Sequence, residues 1–352
     1  MKIMARVKIL CVYDGGITRE LMEQMKGLEE YGAEVSFAED KEMYAMGPIT
    51  DRMLLIEQKG IDAAPTCQAL LEQCRDKDIL VVHVASINKQ VIEACPNLKV
   101  AVVLRGGFEN ADVSELTKRK IPLINAPWRS ADAVADFTVG MMIAENKNIA
   151  RSHKLIFDGQ WCKKYANQEY IHNMRNCTVG LIGYGYIGSR VAKRLSGFES
   201  RVIVYDPFVK REELEKEGVE TVGSLDELLA QADFVSMHLR LSKHTEKFMG
   251  KEEFAKMKST AYFINTARAG IVDTEALINA LQTKQIGGAA IDVYDIEPLP
   301  KDHPYLQLDN ITLTSHLAGT SCDTMRTSVE IGFKDLKSYL TGEKMINVRN
   351  LK

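Results

Sequence analysis

The stretch Gly183-Tyr184-Gly185-Tyr186-Ile187-Gly188 constrains this chain more than any other. It follows directly on the apolar run Thr178-Val179-Gly180-Leu181-Ile182 and leads into Ser189-Arg190-Val191-Ala192-Lys193-Arg194-Leu195, a helical pattern. A second apolar run, Arg201-Val202-Ile203-Val204-Tyr205, then ends on Asp206. Strand, glycine turn, helix, strand and acid, in that order, form the βαβ unit that a dinucleotide site needs. A glycine triplet alone is weak evidence; this flanking makes it specific. Gly183 permits the tight turn, Gly185 lets backbone approach a pyrophosphate, and Gly188 lets the helix pack closely on the strand. The helix N-terminus, with Tyr186 and Ile187 in its first turn, offers N–H groups and the positive end of the helix dipole to phosphate. Asp206 can accept hydrogen bonds from ribose hydroxyls, and its charge repels a 2′-phosphate, which favours NAD(H) over NADP(H). Lys210 and Arg211 follow closely enough to soften that preference. The plain alternative is a Gly-rich turn in a nucleotide fold that binds nothing.

The motif lies mid-chain, so the residues before it must serve something else. At 352 residues the chain suits two domains. Residues 7–12, 79–84 and 99–104 read as buried strands, with helices over 21–31 and 66–75, which implies a parallel sheet covered by helices. Beyond Cys177, strand candidates at 178–182, 201–205, 234–238, 261–264, 288–292 and 311–314 alternate with helices, as in a doubly wound nucleotide fold. Residues 122–127 form a turn-rich junction. Ser130 or Asp132 can cap a long helix running to about residue 152, with Val134, Phe137, Met141 and Ala144 on one face. That face packs either on a second subunit, giving a homodimer, or on the chain's own domains. A helix at 323–340 is expected to return to the first domain. The expected class is therefore α/β, with two Rossmann-like or flavodoxin-like domains, doubly wound parallel sheets and a cleft between them. Residues 1–125 with 320–352 would form a discontinuous substrate-binding domain, and residues 126–319 the NAD-binding domain.

Net charge is −3 and no long basic run appears, so neither nucleic acid nor an anionic membrane is expected as a partner. Residues 1–16 imitate a signal peptide, with Lys2, Arg6 and Lys8 ahead of an apolar run, but that run breaks early at Asp14-Gly15-Gly16 and reads as a first strand. The other apolar runs fall far below membrane-spanning length. Seven cysteines, an odd number with no CxxC pair, point to reduced thiols in a cytoplasmic protein and to no metal site.

Three later blocks carry candidate chemistry. Ile264-Asn265-Thr266-Ala267-Arg268-Ala269-Gly270, Ala290-Ile291-Asp292-Val293-Tyr294-Asp295-Ile296-Glu297-Pro298 and Thr314-Ser315-His316-Leu317-Ala318-Gly319 end the last three strand candidates. Open α/β sheets bind ligands at the carboxyl ends of strands. Arg268, Glu297 and His316 are therefore expected to converge near the nicotinamide end of the cofactor. Singly, each has an ordinary reading: a salt-bridging arginine, a solvated turn, a structural imidazole.

With these blocks in order, the chain resembles the D-2-hydroxyacid dehydrogenase family, and within it the phosphoglycerate dehydrogenase-like subgroup. The segments NAPWRSADAVADFTVG from Asn125, TVGLIGYGYIG from Thr178, INTARAGIVD from Ile264, AAIDVYDIEP from Ala289 and TSHLAG from Thr314 carry the likeness. The resemblance implies that Arg268 binds the substrate carboxylate and polarises the C2 oxygen, a task suited to the guanidinium fork. It implies that His316 exchanges a proton at that oxygen, that Glu297 holds the other imidazole nitrogen, and that Asp292 contacts the nicotinamide end. His238, Arg240, Thr266, Ala267 and Gly319 would line the cofactor groove. Arg105, Gly106 and Gly107 match the family's Gly-rich substrate turn, where glycine N–H groups can clasp a carboxylate as an anion nest. Asp14-Gly15-Gly16 and residues 83–88 also follow strands and would line the same cleft.

Some positions depart from the family pattern. Arg240 stands where many relatives have Pro, Ser315 replaces the usual Pro before the histidine, Asp136 replaces a common Glu, and Trp128 a common Gly. Trp161 reads as a hydrophobic anchor. The implied activity is NAD-dependent hydride transfer at C2 of a D-2-hydroxy acid or 2-keto acid, with a polar acid favoured because Arg105 and Glu109 flank the substrate turn. Phosphoglycerate-, glycerate- and sugar-acid-like substrates all stay open. The competing class is a regulatory protein that uses NAD(H) to set its conformation. A formate dehydrogenase relative is disfavoured by Glu297.

Overall fold

The computed structural model describes residues 6–46, 49–209, 211–216 and 219–351. Contacts divide the chain into two units, Met1–Ser130 with Ser321–Lys352, and Ala131–Thr320. Lys2 and Lys210 lie outside the described residues.

The first unit holds a five-stranded parallel sheet of β1 (Val7–Tyr13), β2 (Ala33–Glu39), β3 (Ile79–Val82), β4 (Val100–Val103) and β5 (Leu123–Asn125), in the order β2-β1-β3-β4-β5. The inner strands β3 and β4 are apolar at every position because both sheet faces are covered. Leu10, Leu80, Val82, Ala101 and Val103 pack one face on Leu70, Val91 and Ile92 of two helices, Gln68–Gln73 and Lys89–Ala94. Ile9, Cys11, Val81 and Val102 pack the other on Met25, Leu28, and on Val329 and Leu336 of the helix Cys322–Thr341. Two strands escape the sequence pattern. β2 is half-buried at the sheet edge, and β5 is three residues inside what reads as a turn. The helix expected over 21–31 forms one α-turn, Arg19–Met22, and then tightens to a 3₁₀ helix, Glu23–Tyr31.

The second unit holds a seven-stranded parallel sheet: β6 (Thr178–Ile182), β7 (Arg201–Tyr205), β8 (Glu220–Thr221), β9 (Phe234–Met237), β10 (Tyr262–Asn265), β11 (Gly288–Ile291) and β12 (Ile311–Leu313). The order is β12-β11-β10-β9-β6-β7-β8, so it reverses between β6 and β9. The six expected strands fall within a residue of their predicted limits. The seventh, β8, is a two-residue edge pairing with β7 that is too short to leave a periodic signal.

The long helix expected to reach residue 152 breaks in two, Ala131–Asn146 and Ile149–Phe157. Asn148 adopts φ 56°, a left-handed conformation that asparagine tolerates better than most residues, so no Gly or Pro marks the break. Asn148 Nδ2 donates to Asn167 Oδ1 at 2.7 Å, and Arg151 Nη2 donates at 2.7 Å to Glu145 Oε1, so the corner is tied from both sides. Met141 of the first helix is buried in the core of its own unit, and Val134 is buried as well. The second helix instead leaves Ile149, Ile156 and Phe157 exposed at 53%, 49% and 79%. Trp161, expected as an anchor, is 80% exposed and is not buried within this chain. Among the described residues no helix is long and apolar enough to cross a membrane.

Candidate functional site

The glycine turn sits where the second sheet reverses. Gly183 leaves β6 at φ +98°, a conformation that favours glycine, and a Cβ there would press on the His238 carbonyl oxygen at the end of β9. A Cβ on Gly188 would collide with the carbonyl oxygen of Gly183 itself, so this glycine lets the helix Tyr186–Ser196 close on the turn. Gly185 is the helix N-cap with no side-chain cap, and a Cβ there would meet nothing within 4 Å. Open space above this glycine, at the N-terminal end of a helix, fits a pyrophosphate. Asp206 reaches back to this turn: Tyr184 N donates to its Oδ2 at 2.8 Å and Phe208 N to its Oδ1 at 2.9 Å. The carboxylate is thus fixed at the tip of β7 and half-exposed, with lone pairs left for ribose hydroxyls. Arg211 Nε donates to Glu215, its own helix neighbour, at 2.8 Å. Burial pushes the His238 imidazole down to about 4, so it stays neutral, and its Nε2 lies 3.0 Å from Ser236 Oγ. Arg240 is exposed, and its carbonyl accepts from Thr245 Oγ1 at 2.6 Å.

The strand ends β10, β11 and β12 carry the second half of the site. His316 adopts φ 56°, and its Nδ1 lies 2.8 Å from Glu297 Oε2 and 3.0 Å from Oε1. An ionised carboxylate only accepts, so Nδ1 carries the proton and Nε2 is left available. Tyr294 N donates to Glu297 Oε1 at 3.1 Å, which holds the acid in place. Asp292 is fully buried and grips the loop on which His316 sits. Its Oδ1 accepts from Thr314 Oγ1 at 2.6 Å and Leu317 N at 2.8 Å, and its Oδ2 from Ala318 N at 2.9 Å. Asp292 therefore spends both oxygens on the loop 314–318. Gly319 closes that loop, half-buried.

Arg268 is exposed and makes no bond to Glu297 or His316; its Nη1 donates to the neighbouring Ala267 carbonyl at 2.7 Å. Its turn is set by Asn265, whose Oδ1 accepts from Ala267 N and whose Nδ2 donates to the Arg268 carbonyl, both at 3.0 Å. Sequence reasoning missed Asn265, although an Asn at a strand end is a usual turn-former. Thr266 is buried, with its Oγ1 2.7 Å from Thr138 Oγ1. Thr138 already donates to the Val134 carbonyl, so Thr266 is the donor in that pair.

In the first unit Arg105 follows β4 and is half-buried, with a buried Nε that has no partner among the described residues. Gly106 and Gly107 lack positive φ, so the expected nest of alternating φ is not formed, and the Glu109 carboxylate lies where a Cβ on Gly107 would sit. Asp14 and His83 follow β1 and β3 and are buried in contact, His83 Nδ1 lying 3.0 Å from Asp14 Oδ1. Arg129, which sequence reasoning did not single out, joins them through Nη1, 3.3 Å from His83 Nε2. Asp40, Glu42 and Cys67 bring ligand atoms within 4.8 Å of one another, but Arg52 Nη1 already neutralises Asp40 at 2.8 Å.

A doubly wound sheet with a glycine turn at its reversal, an acid on the next strand and a Glu–His pair at the far strand ends defines a nucleotide-dependent oxidoreductase. Residues 139–318 match the family described as D-isomer specific 2-hydroxyacid dehydrogenase, NAD binding domain. The chain is 40% identical to a glyoxylate reductase of Thermofilum pendens over 298 residues, 82% of this chain and 86% of that one. It is 35% identical to a D-3-phosphoglycerate dehydrogenase of Methanocaldococcus jannaschii over 86% of this chain, but spans only 57% of that relative. Among solved structures, the TT0316 protein of Thermus thermophilus is similar at 27% identity and a TM-score of 0.69, over 97% of this chain and 99% of that one. The NAD-complexed D-isomer specific 2-hydroxyacid dehydrogenase of Lactobacillus delbrueckii ssp. bulgaricus shares the fold at a TM-score of 0.77 and 23% identity, over 98% and 100% of the two chains. The chain belongs to the D-isomer-specific 2-hydroxyacid dehydrogenase family and is an NAD-dependent oxidoreductase of that kind.

Proposed function

We propose that this protein interconverts a polar 2-keto acid and its D-2-hydroxy acid, with Arg268, Glu297 and His316 as its working residues. The observation that carries the assignment of roles is the Glu297–His316 pair, which leaves His316 Nε2 available on a loop clamped by Asp292. NAD(H), held by Gly183, Gly185, Gly188 and Asp206, supplies or accepts the hydride when bound. His316 Nε2 gives a proton to the C2 oxygen in reduction and takes it back in oxidation. Glu297 fixes the tautomer and stabilises the imidazolium. Arg268, turned outward by Asn265, binds the substrate carboxylate. Arg105, Gly106 and Gly107 of the first unit stand as further candidate substrate-binding residues. The reading extends to a polar acid because named relatives include glyoxylate, hydroxypyruvate and phosphoglycerate enzymes. A cytoplasmic homodimer is supported by the free thiols of the described residues and by the exposed apolar stripe Ile149, Ile156 and Phe157.

The test is NADH oxidation against a panel of 2-keto acids that includes phosphorylated and sugar-derived members. His316→Ala should lower turnover by about 10²–10⁴ while NADH still binds. NADH binding with no turnover on any acid would refute the assignment in favour of a protein that uses NAD(H) only as a conformational signal.

A further inference from the structure

The segment that follows the helix Cys322–Thr341 turns back along the first unit's sheet. Gly342 ends the helix at φ 76°, and Asp335, buried within it, catches the returning chain. Its Oδ1 accepts from Ile346 N at 2.6 Å, and its Oδ2 from Asn347 Nδ2 at 2.7 Å. Val348 then pairs antiparallel with Ile124 of β5. Asn125 N donates to the Asn347 carbonyl at 3.3 Å, Arg349 N to the Leu123 carbonyl at 2.9 Å, and Leu123 N to Asn350 Oδ1 at 2.8 Å. These bonds cover the edge of β5 and hold the segment without the side chain of Arg349.

That side chain is committed elsewhere. Arg349 is exposed, and its Nε donates at 2.5 Å to Oδ1 of Asn125, which is buried at the end of β5. Asn125 Nδ2 in turn donates at 2.5 Å to the Gly106 carbonyl. A guanidinium only donates and a carbonyl only accepts, so these two neighbours together admit one orientation of the Asn125 amide. Without Arg349 only the Gly106 carbonyl selects that orientation, and the Oδ1 end loses its charged anchor.

Two successive carbonyls of the turn after β4 are held from the β5 side. The Arg105 carbonyl accepts from Ala126 N at 2.8 Å, and the Gly106 carbonyl accepts from Asn125. In a trans peptide the carbonyl and the next N–H point in opposite directions. The N–H groups of Gly106 and Gly107 consequently both face away from residues 125–126. Neither donates to a protein group among the described residues. They form a donor pair on one side of the turn without the positive φ that a nest requires.

We propose that Arg349 is a positioning residue: through Asn125 it sets the Gly106–Gly107 peptide plane and so aims this donor pair. That the pair receives the acid rests on the candidate substrate role given above to Arg105, Gly106 and Gly107. The positioning itself lies wholly within the first unit.

The test joins kinetics on the best keto acid of the panel to amide spectra of the full chain with isotope labelling of glycine only. The Gly107 resonance is assigned by its loss in Gly107→Ala. Arg349→Ala should raise KM for the acid by about tenfold, while kcat and KM for NADH stay within about twofold. Arg349→Lys should restore most of that loss, since an ammonium also only donates. Asn125→Asp separates positioning from mere support of the segment. It strengthens the attraction to Arg349, yet its carboxylate cannot donate to Gly106, so KM should rise at least as much as in Arg349→Ala. The Gly107 resonance should move in Arg349→Ala and Asn125→Asp, and return toward its wild-type place in Arg349→Lys. An unchanged KM in either of the first two variants, an unmoved resonance, or kcat falling together with NADH affinity overturns the proposal. If Asn125→Asp does not fold, the two Arg349 variants carry the test by the same readings. If no acid is reduced by the wild type, the functional reading fails, and the Gly107 resonance alone decides the positioning. A shift reversed by Arg349→Lys supports it, and a wild-type position in Arg349→Ala overturns it.

Discussion

Replacing Asp292 by asparagine keeps the side-chain shape and should loosen the loop that carries His316. Asp292 is fully buried, and its two oxygens accept three hydrogen bonds from that loop. Asparagine keeps one acceptor oxygen and offers an amide in place of the other, so at least one loop donor, Ala318 N or the Thr314–Leu317 pair, then faces another donor. A hydrogen bond to a charged group contributes about 1.5–3 kcal/mol, and a buried polar group left unpaired costs about 1–3 kcal/mol. The two effects overlap, so the combined loss is about 2–4 kcal/mol. At about 2–4 °C per kcal/mol for a unit of this size, melting should fall by roughly 4–16 °C. His316 also sits at φ 56°, a conformation that costs about 1–3 kcal/mol and persists only under such a clamp. Once released, the imidazole should leave its place beside Glu297, and kcat should drop about 10–100-fold at saturating NADH. Thermal melting, NADH titration by fluorescence and steady-state kinetics check this together. Unchanged melting and kcat with a tenfold weaker NADH affinity would show instead that Asp292 acts on the cofactor, as family resemblance implies, and that the clamp matters little.

Two further outcomes follow from the glycine turn and its neighbour. Gly188→Ala places a Cβ against the Gly183 carbonyl, and Gly183 at φ +98° has little room to yield. It should destabilise the second unit by about 1–3 kcal/mol in denaturant unfolding and weaken NADH binding, and wild-type behaviour in both would refute the packing role. His238 has an imidazole held near 4 by burial, against 6.5 for the ordinary group. Above pH 6.5 both folded and unfolded forms are neutral. As pH falls from 6.5 toward 4 only the unfolded chain gains the proton, so stability should drop by up to about 1.4 kcal/mol per pH unit. Urea midpoints at pH 7 and pH 5 should show that slope in the wild type and a shallower one in His238→Gln; equal slopes would refute it.

Much of the second unit is legible because its strands are buried, regular and separated by helices. β6 and β7 could be placed from their apolar runs, and the glycine spacing with Asp206 identified the cofactor before any geometry. Edge pairing hides elements of a different sort: β2, β5 and β8 gain their stability from a neighbour's main chain rather than from a repeating apolar pattern. The helix break at Asn148 is equally silent, since it depends on Asn167 and Arg151 closing the corner. In the site, Arg268, Glu297 and His316 stand in recognisable blocks, whereas the clamping role of Asp292 shows only once the loop 314–318 is seen folded over it. Arg129 leaves no local signal, because its partners His83 and Ser328 lie 46 and 199 positions away in sequence. The substrate turn shows the opposite failure, in that its glycines suggested a nest that the backbone does not form.

In reduction, cofactor hydride should reach C2 of a keto acid while His316 supplies the proton to the C2 oxygen. Wild type and His316→Ala, each supplied with NADH deuterated at the transferring C4 position and the best keto acid of the panel, test it directly. The expected result is one deuterium at C2 of a product of D configuration in the wild type, with formation in His316→Ala slowed by about 10²–10⁴. Deuterium retained in the cofactor, a product of L configuration, or equal rates in the two proteins would contradict it.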